Sequence, residues 1–233
     1  MRDLGGDTVV AVWEAAREQH PLERALTLLA IACPERSRDE LARLSIGERD
    51  RLLLGLRAQL FGSQLCLEAV CPLCREGNEF ELTMQDVLHA PVSGEPELVT
   101  EHGPVRFRLP DSIDIARALG CEDAALARQL LARSCLLDDV VIDAPLVDRL
   151  AAAIELYDPQ SEVRFAITCS MCGHAWKPIF DVGELLFTEL AAVARELLGQ
   201  VHALAYAYKW PEAEILAMSG TRRRFYLQMV GYE

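Results

Sequence analysis

Two stretches decide the fold: QLCLEAVCPLCREGNEFELTM at residues 64–84 and VRFAITCSMCGHAWKPIF at residues 163–180. In the first, Leu65, Leu67 and Ala69 alternate with Cys66, Glu68 and Val70. Beyond Cys71-Pro72-Leu73-Cys74, the residues Phe80, Leu82 and Met84 alternate with Glu79, Glu81 and Thr83. A period of two belongs to a strand, so the unit reads as strand, tight CxxC turn, strand. In the second stretch Val163, Phe165 and Ile167 alternate with Arg164, Ala166 and Thr168. Cys169-Ser170-Met171-Cys172-Gly173-His174 and a second strand, Ala175 to Phe180, follow. Each unit runs on into an Asp-Val pair, Asp86-Val87 and Asp181-Val182. The chain therefore carries a degenerate repeat of two hairpin knuckles, with Gly77 and Gly173 expected to ease the turns.

A CxxC turn offers two sulfurs from one loop, which fills half of a tetrahedral sphere. This sequence has two such pairs and no third. The expectation is one structural Zn2+ per chain, held by Cys71, Cys74, Cys169 and Cys172. Redox CxxC motifs sit where a strand meets a helix, whereas both pairs here lie in hairpins. His174 could replace one thiolate, although it falls outside the repeat. Four protein ligands close the sphere, so the metal is expected to support folding and not catalysis. A shared site also requires the two knuckles to pack together. Cys33, Cys66, Cys121 and Cys135 are read as small core residues.

Working outward, residues 1–62 read as a helical segment. Apolar residues recur at helical spacing over Val9–Arg17 and Leu22–Ile31, and Pro21 suits a helix start. Ser45-Ile46-Gly47-Glu48 has the form of a capping box; Leu52, Leu53, Leu56 and Leu60 follow on one face, and Gly62 suits a stop. The first knuckle occupies 63–87. An insertion at 88–162 starts with a hairpin over Leu98–Leu109, turning at His102-Gly103. Helices at Ile113–Leu119, Ala124–Leu136 and Leu146–Tyr157 complete it, the first capped by Asp111 or Ser112. The second knuckle takes 163–180. Residues 181–233 are helical again, led by one helix from Asp181 to Tyr208 whose apolar stripe would run roughly 40 Å. Pro211 starts a short helix and Ser219 caps a last one. The fold class is α+β and mostly helical, with two zinc-knuckle hairpins joined into a zinc-ribbon-like centre between helical segments.

Composition narrows the function. The 233 residues carry 23 basic and 36 acidic side chains, a formal charge of −13, which disfavours a phosphate backbone as partner. No stretch has the length of a membrane span. Met1-Arg2-Asp3-Leu4-Gly5-Gly6-Asp7 lacks the features of a secretory signal, so a cytoplasmic location is expected. There is no phosphate loop, HExxH, GxSxG or GxGxxG, and the five histidines form no acid–base group, so no enzyme is expected. Asp138, Asp139 and Asp143 lack the spacing of a calcium loop and read as a solvated loop.

The C-terminal third carries a further signal. Leu197-Leu198-Gly199-Gln200-Val201-His202-Ala203-Leu204-Ala205-Tyr206-Ala207-Tyr208-Lys209-Trp210, then Glu214-Ile215-Leu216, Arg222-Arg223 and Tyr226-Leu227, resembles the T4-type baseplate hub assembly chaperone family of contractile phage tails and phage-derived injection systems. Phe107-Arg108-Leu109-Pro110, Asp158-Pro159-Gln160, Cys172-Gly173-His174-Ala175-Trp176 and Phe180-Asp181-Val182 extend the resemblance over most of the chain from about Ser45. Two departures stand out: Ser170 where proline is usual, and Lys209 where glycine is expected. The resemblance implies a non-enzymatic assembly factor whose partners are baseplate or hub proteins. The alternatives are a permanent baseplate or cap subunit and, against the charge, a zinc-ribbon nucleic-acid binder. The partner surface is expected at Trp210, Arg222, Arg223, Arg224 and Tyr226, because aromatic residues and arginine carry most interface energy.

Overall fold

The computed structural model describes residues 5–101 and 103–232. In chain order come α1 (Gly6–Ala16), α2 (Pro21–Ala32), α3 (Arg38–Ala42) and α4 (Ile46–Phe61), then the hairpin β1 (Gln64–Val70) and β2 (Gly77–Thr83). A short α5 (Met84–Val87) leads to a second hairpin, β3 (Glu97–Thr100) and β4 (Gly103–Arg106). Helices α6 (Ser112–Leu119), α7 (Ala124–Cys135) and α8 (Ala144–Tyr157) follow, then a 3-10 turn at Pro159–Ser161. A third hairpin, β5 (Ile167–Thr168) and β6 (Ala175–Trp176), precedes α9 (Val182–Tyr208), α10 (Glu212–Leu216) and α11 (Gly220–Met229). The architecture is α+β and mostly helical, and each sheet is a two-stranded antiparallel ribbon. Of the turn expected at His102-Gly103, His102 lies outside the described residues, while Gly103 opens β4 at φ +114°. Among the described residues no helix is long and apolar enough to cross a membrane.

The chain divides into two compact units: Met1–Leu28 with Gly183–Glu233, and Leu29–Val182. This cuts across the five sequence segments, because α1 and most of α2 belong with the C-terminal helices and not with α4. In the first unit Val9, Val10, Ala25, Leu26 and Leu28 are buried, and so are Leu186, Leu190, Ala194, Leu204 and Ile215. The apolar stripe of α9 is thus an internal face. Arg24 ties α2 to α9: it bonds Glu184 at 2.6 Å and lies 4.1 Å over the Phe187 ring. Arg223 was expected on the exposed surface but is buried at 7% exposure. Its guanidinium bonds Gln200 Oε1 at 2.7 Å and the carbonyls of Ile215 and Met218 at 3.4 and 3.3 Å, closing the C-terminal end of α10. Burial lowers its pKa.

The second unit has two centres. One is the pair of cysteine hairpins. The other is the inserted segment, where Phe107, Ala132, Cys135, Val147 and Leu150 are buried together and Tyr157 meets Phe107 edge-on at 5.7 Å. Asp158 fastens α4 from 111 positions away: its carboxylate, with 0% exposure, accepts the Gly47 amide at 2.8 Å and Arg51 Nη1 at 3.3 Å. It therefore satisfies an amide in the first turn of α4, where a negative charge is favoured. Asp114 does the same for the insertion, taking both Nη atoms of Arg108 at 2.6 and 2.9 Å. That bidentate pair lowers the Asp114 pKa against the cost of burial.

Local expectations mostly hold, with instructive exceptions. Ser45 caps α4 by accepting the Glu48 amide at 3.2 Å, but Glu48 does not complete a box; its carboxylate sits 3.9 Å from Arg36. Full boxes form instead at Ser37/Glu40 and Thr83/Asp86, starting α3 and α5, two short helices the apolar pattern does not announce. Gly62 ends α4 at φ +86°. The second knuckle has much shorter strands than expected. Pro178 has no amide to donate, and pairing beyond Trp176 is reduced to the Arg164/Ile179 bridge, with bonds from Phe180 N to Val163 O, 2.8 Å, and from Phe165 N to Pro178 O, 3.4 Å. Cys33 and Cys135 are buried as expected, but Cys66 is exposed because it shares the outer face of β1 with Glu68.

Gly47 is required by this packing: a Cβ there would lie 1.8 Å from Asp158 Oδ1. Gly47→Ala should cost roughly 3 kcal/mol, since it forces a buried charge off its partners. Urea unfolding monitored in the second unit measures this, and a change below ~1 kcal/mol would contradict the role given to Asp158.

Candidate metal centre

The two knuckles are built alike. In the first, the Arg75 amide donates to Cys71 O at 3.0 Å and the Cys71 amide to Glu76 O at 2.8 Å. In the second, the Gly173 amide donates to Cys169 O at 3.0 Å and the Cys169 amide to His174 O at 2.9 Å. The residue after each second cysteine is left-handed, Arg75 at φ 67° and Gly173 at φ 71°. Gly173 serves as expected. Gly77 does not: it is the first residue of β2, and a Cβ there would lie 2.7 Å from Glu68 Oε1.

The knuckles meet although 95 positions separate Cys74 from Cys169. Cys74 Sγ lies 3.6 Å from Cys169 Sγ, Cys71 Sγ lies 3.7 Å from Cys172 Sγ, and all four sulfurs fall within 4.8 Å of one another. An ion bonded tetrahedrally to sulfur at about 2.3 Å has sulfur–sulfur edges of about 3.8 Å. The four cysteines are therefore spaced to hold one metal ion. Cys71 and Cys169 are buried, and Cys74 and Cys172 reach the surface. His174 is not among the clustered ligands; its ring stacks on Trp176 at 6.2 Å.

The electrostatics show what a cation would relieve. Amide donation from Cys172, working with that of Met171 against the cost of lost water, draws Cys169 down to about 6. Cys74 goes the other way, to about 12: the Glu76 amide lowers it, but lost water and the thiols of Cys172, Cys169 and Cys71 raise it further. One thiolate forms readily and opposes the next. A divalent ion removes that repulsion and deprotonates its ligands.

Two residues that the pattern of cysteines does not reveal hold the halves together. Asn78 on β2 is buried at 7% exposure. Its Oδ1 accepts the amide of Ser170 at 2.9 Å and the Ser170 hydroxyl at 3.2 Å, while its Nδ2 donates to Glu76 O at 3.0 Å and to Cys169 Sγ at 3.7 Å. Ser170 holds the place that Pro72 holds in the first knuckle, and a proline there would have no amide for Asn78. Phe165 lies between Phe80 of the first hairpin and Phe180, at centroid distances of 6.2 and 5.5 Å, forming an apolar bridge.

Of the other residues singled out, Trp210, Arg222 and Tyr226 come together in the first unit. Trp210 stacks on Tyr208 at 4.4 Å, Tyr226 meets Trp210 edge-on at 4.9 Å, and Arg222 lies 5.7 Å over Tyr226. Phe225, 62% exposed, extends the cluster at 6.1 Å from Tyr226. Arg224 is exposed, whereas Arg223 turns inward. Lys209 stands at φ 59°, the left-handed position just past a helix that glycine usually takes, and its Nζ bonds Tyr206 O at 2.7 Å. Asp138 is paired with Arg106 and Asp143 caps α8, so neither forms a cation site.

Asn78→Ala should leave the chain folded but weaken metal retention by about tenfold, the effect of losing a hydrogen-bonded neighbour of a ligand. Competition with a chromophoric chelator measures it, and unchanged affinity would show that the knuckles need no clip. Compared with family models, with curated proteins and with solved structures, the chain matches none.

Proposed function

We propose that the protein is a non-enzymatic assembly factor for the baseplate hub of a contractile tail or injection system, and that its metal is a structural zinc. Four thiolates at tetrahedral spacing are the donor set of zinc or an iron centre, and a site closed by four protein ligands offers no position to a substrate. Tyr208, Trp210, Arg222 and Tyr226 carry the sequence resemblance to baseplate hub chaperones. That they form one surface cluster and are not scattered through the core is the observation that supports the assembly reading most. Half-exposed aromatic rings beside an arginine are the chemistry of an interface anchor. The client is a baseplate or hub protein that covers these rings during assembly.

Particle composition tests this. A cell lacking the protein should make no sheathed particles, and particles from normal cells should contain none of it. Its presence there at fixed stoichiometry would identify a permanent subunit instead. Arg222→Glu with Arg224→Glu should preserve the fold and cut particle yield, because both side chains face solvent. Arg223→Glu should instead destabilise the first unit by roughly 3 kcal/mol, as expected for a buried guanidinium replaced by a carboxylate facing carbonyl oxygens. Normal particle yield from the Arg222/Arg224 variant would exclude those arginines from client capture.

A further inference from the structure

The sheet of β3 and β4 gains the beginning of a third strand and then loses it. After α7 the chain runs antiparallel to β4: the Arg108 amide donates to Cys135 O at 2.8 Å, Phe107 and Leu136 form a bridge, and the Leu137 amide donates to Arg106 O at 3.0 Å. There the ladder stops, for two reasons. The Arg106 amide donates to the Asp138 side chain, Oδ2, at 2.7 Å, so no backbone carbonyl receives it. Two residues back on the same edge of β4 stands Pro104, which has no amide.

Residues 139–143, Asp139-Val140-Val141-Ile142-Asp143, keep the habit of a strand without a partner. Exposure alternates along them: Leu137, Asp139, Val141 and Asp143 face out, while Asp138, Val140 and Ile142 are half-buried. Among the described residues none of the amides from Asp139 to Asp143 donates a hydrogen bond. Val141 is 89% exposed and Leu137 57%. Val140, Val141 and Asp143 help line a groove of about 910 Å³, together with Pro104 and Val105 of β4. Of the two arginines at the groove, Arg106 is paired with Asp138, while Arg149 donates to the Val99 carbonyl and keeps its charge. Four acidic side chains, Glu97, Glu101, Asp138 and Asp143, outnumber the two arginines and leave the groove acidic.

We propose that residues 139–143 are a strand-addition site: an extended segment of a partner protein, with apolar residues alternating with lysine or arginine, pairs with this edge and fills the groove. Backbone pairing supplies the affinity, and the alternating side chains and the acidic rim supply the selection. A second copy of the chain is a poor occupant. Antiparallel pairing of the segment with itself, centred on Val140 and Val141, sets Asp138 against Asp143, and like charges directly opposite are destabilising. The inference depends neither on the identity of the metal nor on the assembly role.

Amide hydrogen exchange on the whole chain, combined with selection from a displayed library of random short peptides, tests it. In the free protein the amides of Val140, Val141 and Ile142 should exchange without protection. Enriched peptides should alternate apolar with basic residues and, because one edge of a strand presents every second amide, should on binding protect either Val140 and Ile142 or Val141. Val141→Lys, at a solvent-facing side chain, should weaken such peptides by roughly tenfold or more through like-charge juxtaposition, with no change in melting temperature. The proposal is overturned if these amides are already protected in dilute protein, if no peptides are enriched, or if those enriched are acidic or leave all three amides unprotected. Binding that ignores Val141→Lys overturns it too. Protection that rises with protein concentration alone would assign the edge to a second copy.

Discussion

The joining of the two cysteine hairpins depends on four sulfurs meeting at one point. Closing the stretch from Cys74 to Cys169 costs chain entropy that grows only slowly with length. A metal ion held by the four thiolates, worth on the order of 10 kcal/mol in small modules, would offset that cost. The hairpins cannot do so alone: isolated two-stranded ribbons are marginal in water, and β5–β6 pairs only Ile167 with Trp176 and Thr168 with Ala175. Phe80, Phe165 and Phe180 add apolar contact, and Asn78 adds hydrogen bonds across the joint.

The same logic of distant clamps recurs without metal. Asp158 reaches the first turn of α4, the Arg108–Asp114 pair locks the chain as it leaves β4, and Gln160 accepts the His89 amide at 2.8 Å. Each is a buried or half-buried polar group with its partners in place, the only arrangement in which burying it is not a loss. The insertion, residues 88–162, is therefore anchored at both ends, by His89 and by Asp158, and is not a loose excursion. In the first unit, Arg223 and Arg24 play the corresponding part between helices.

What was legible in the sequence follows period and spacing. Alternation around each CxxC gave the two hairpins, though not the shortness of the second, and the two matching pairs gave the four clustered cysteines. The helical stripe gave α9 nearly to the residue. Features that depend on distant partners were not legible. Asn78 looks like a turn residue until Ser170 arrives from 92 positions away. The Arg222–Arg224 run reads as a solvated face, yet successive helical residues point about 100° apart, so one of three can turn inward. Arg223 does. Cys66 shows the reverse fault: its place in the alternation, opposite Leu65, already put it outside. The departures at Ser170 and Lys209 have physical explanations, an amide for Asn78 and a lysine that bonds the end of α9.

The measurement that bears most directly on this account is the metal content and sulfur coordination of protein purified without added metal. Elemental analysis with X-ray absorption should give close to one zinc per chain, bonded to four sulfurs at about 2.3 Å. A folded chain with well under half an equivalent of any metal and four titratable thiols would contradict it. One equivalent of iron in place of zinc would keep the centre and change its identity.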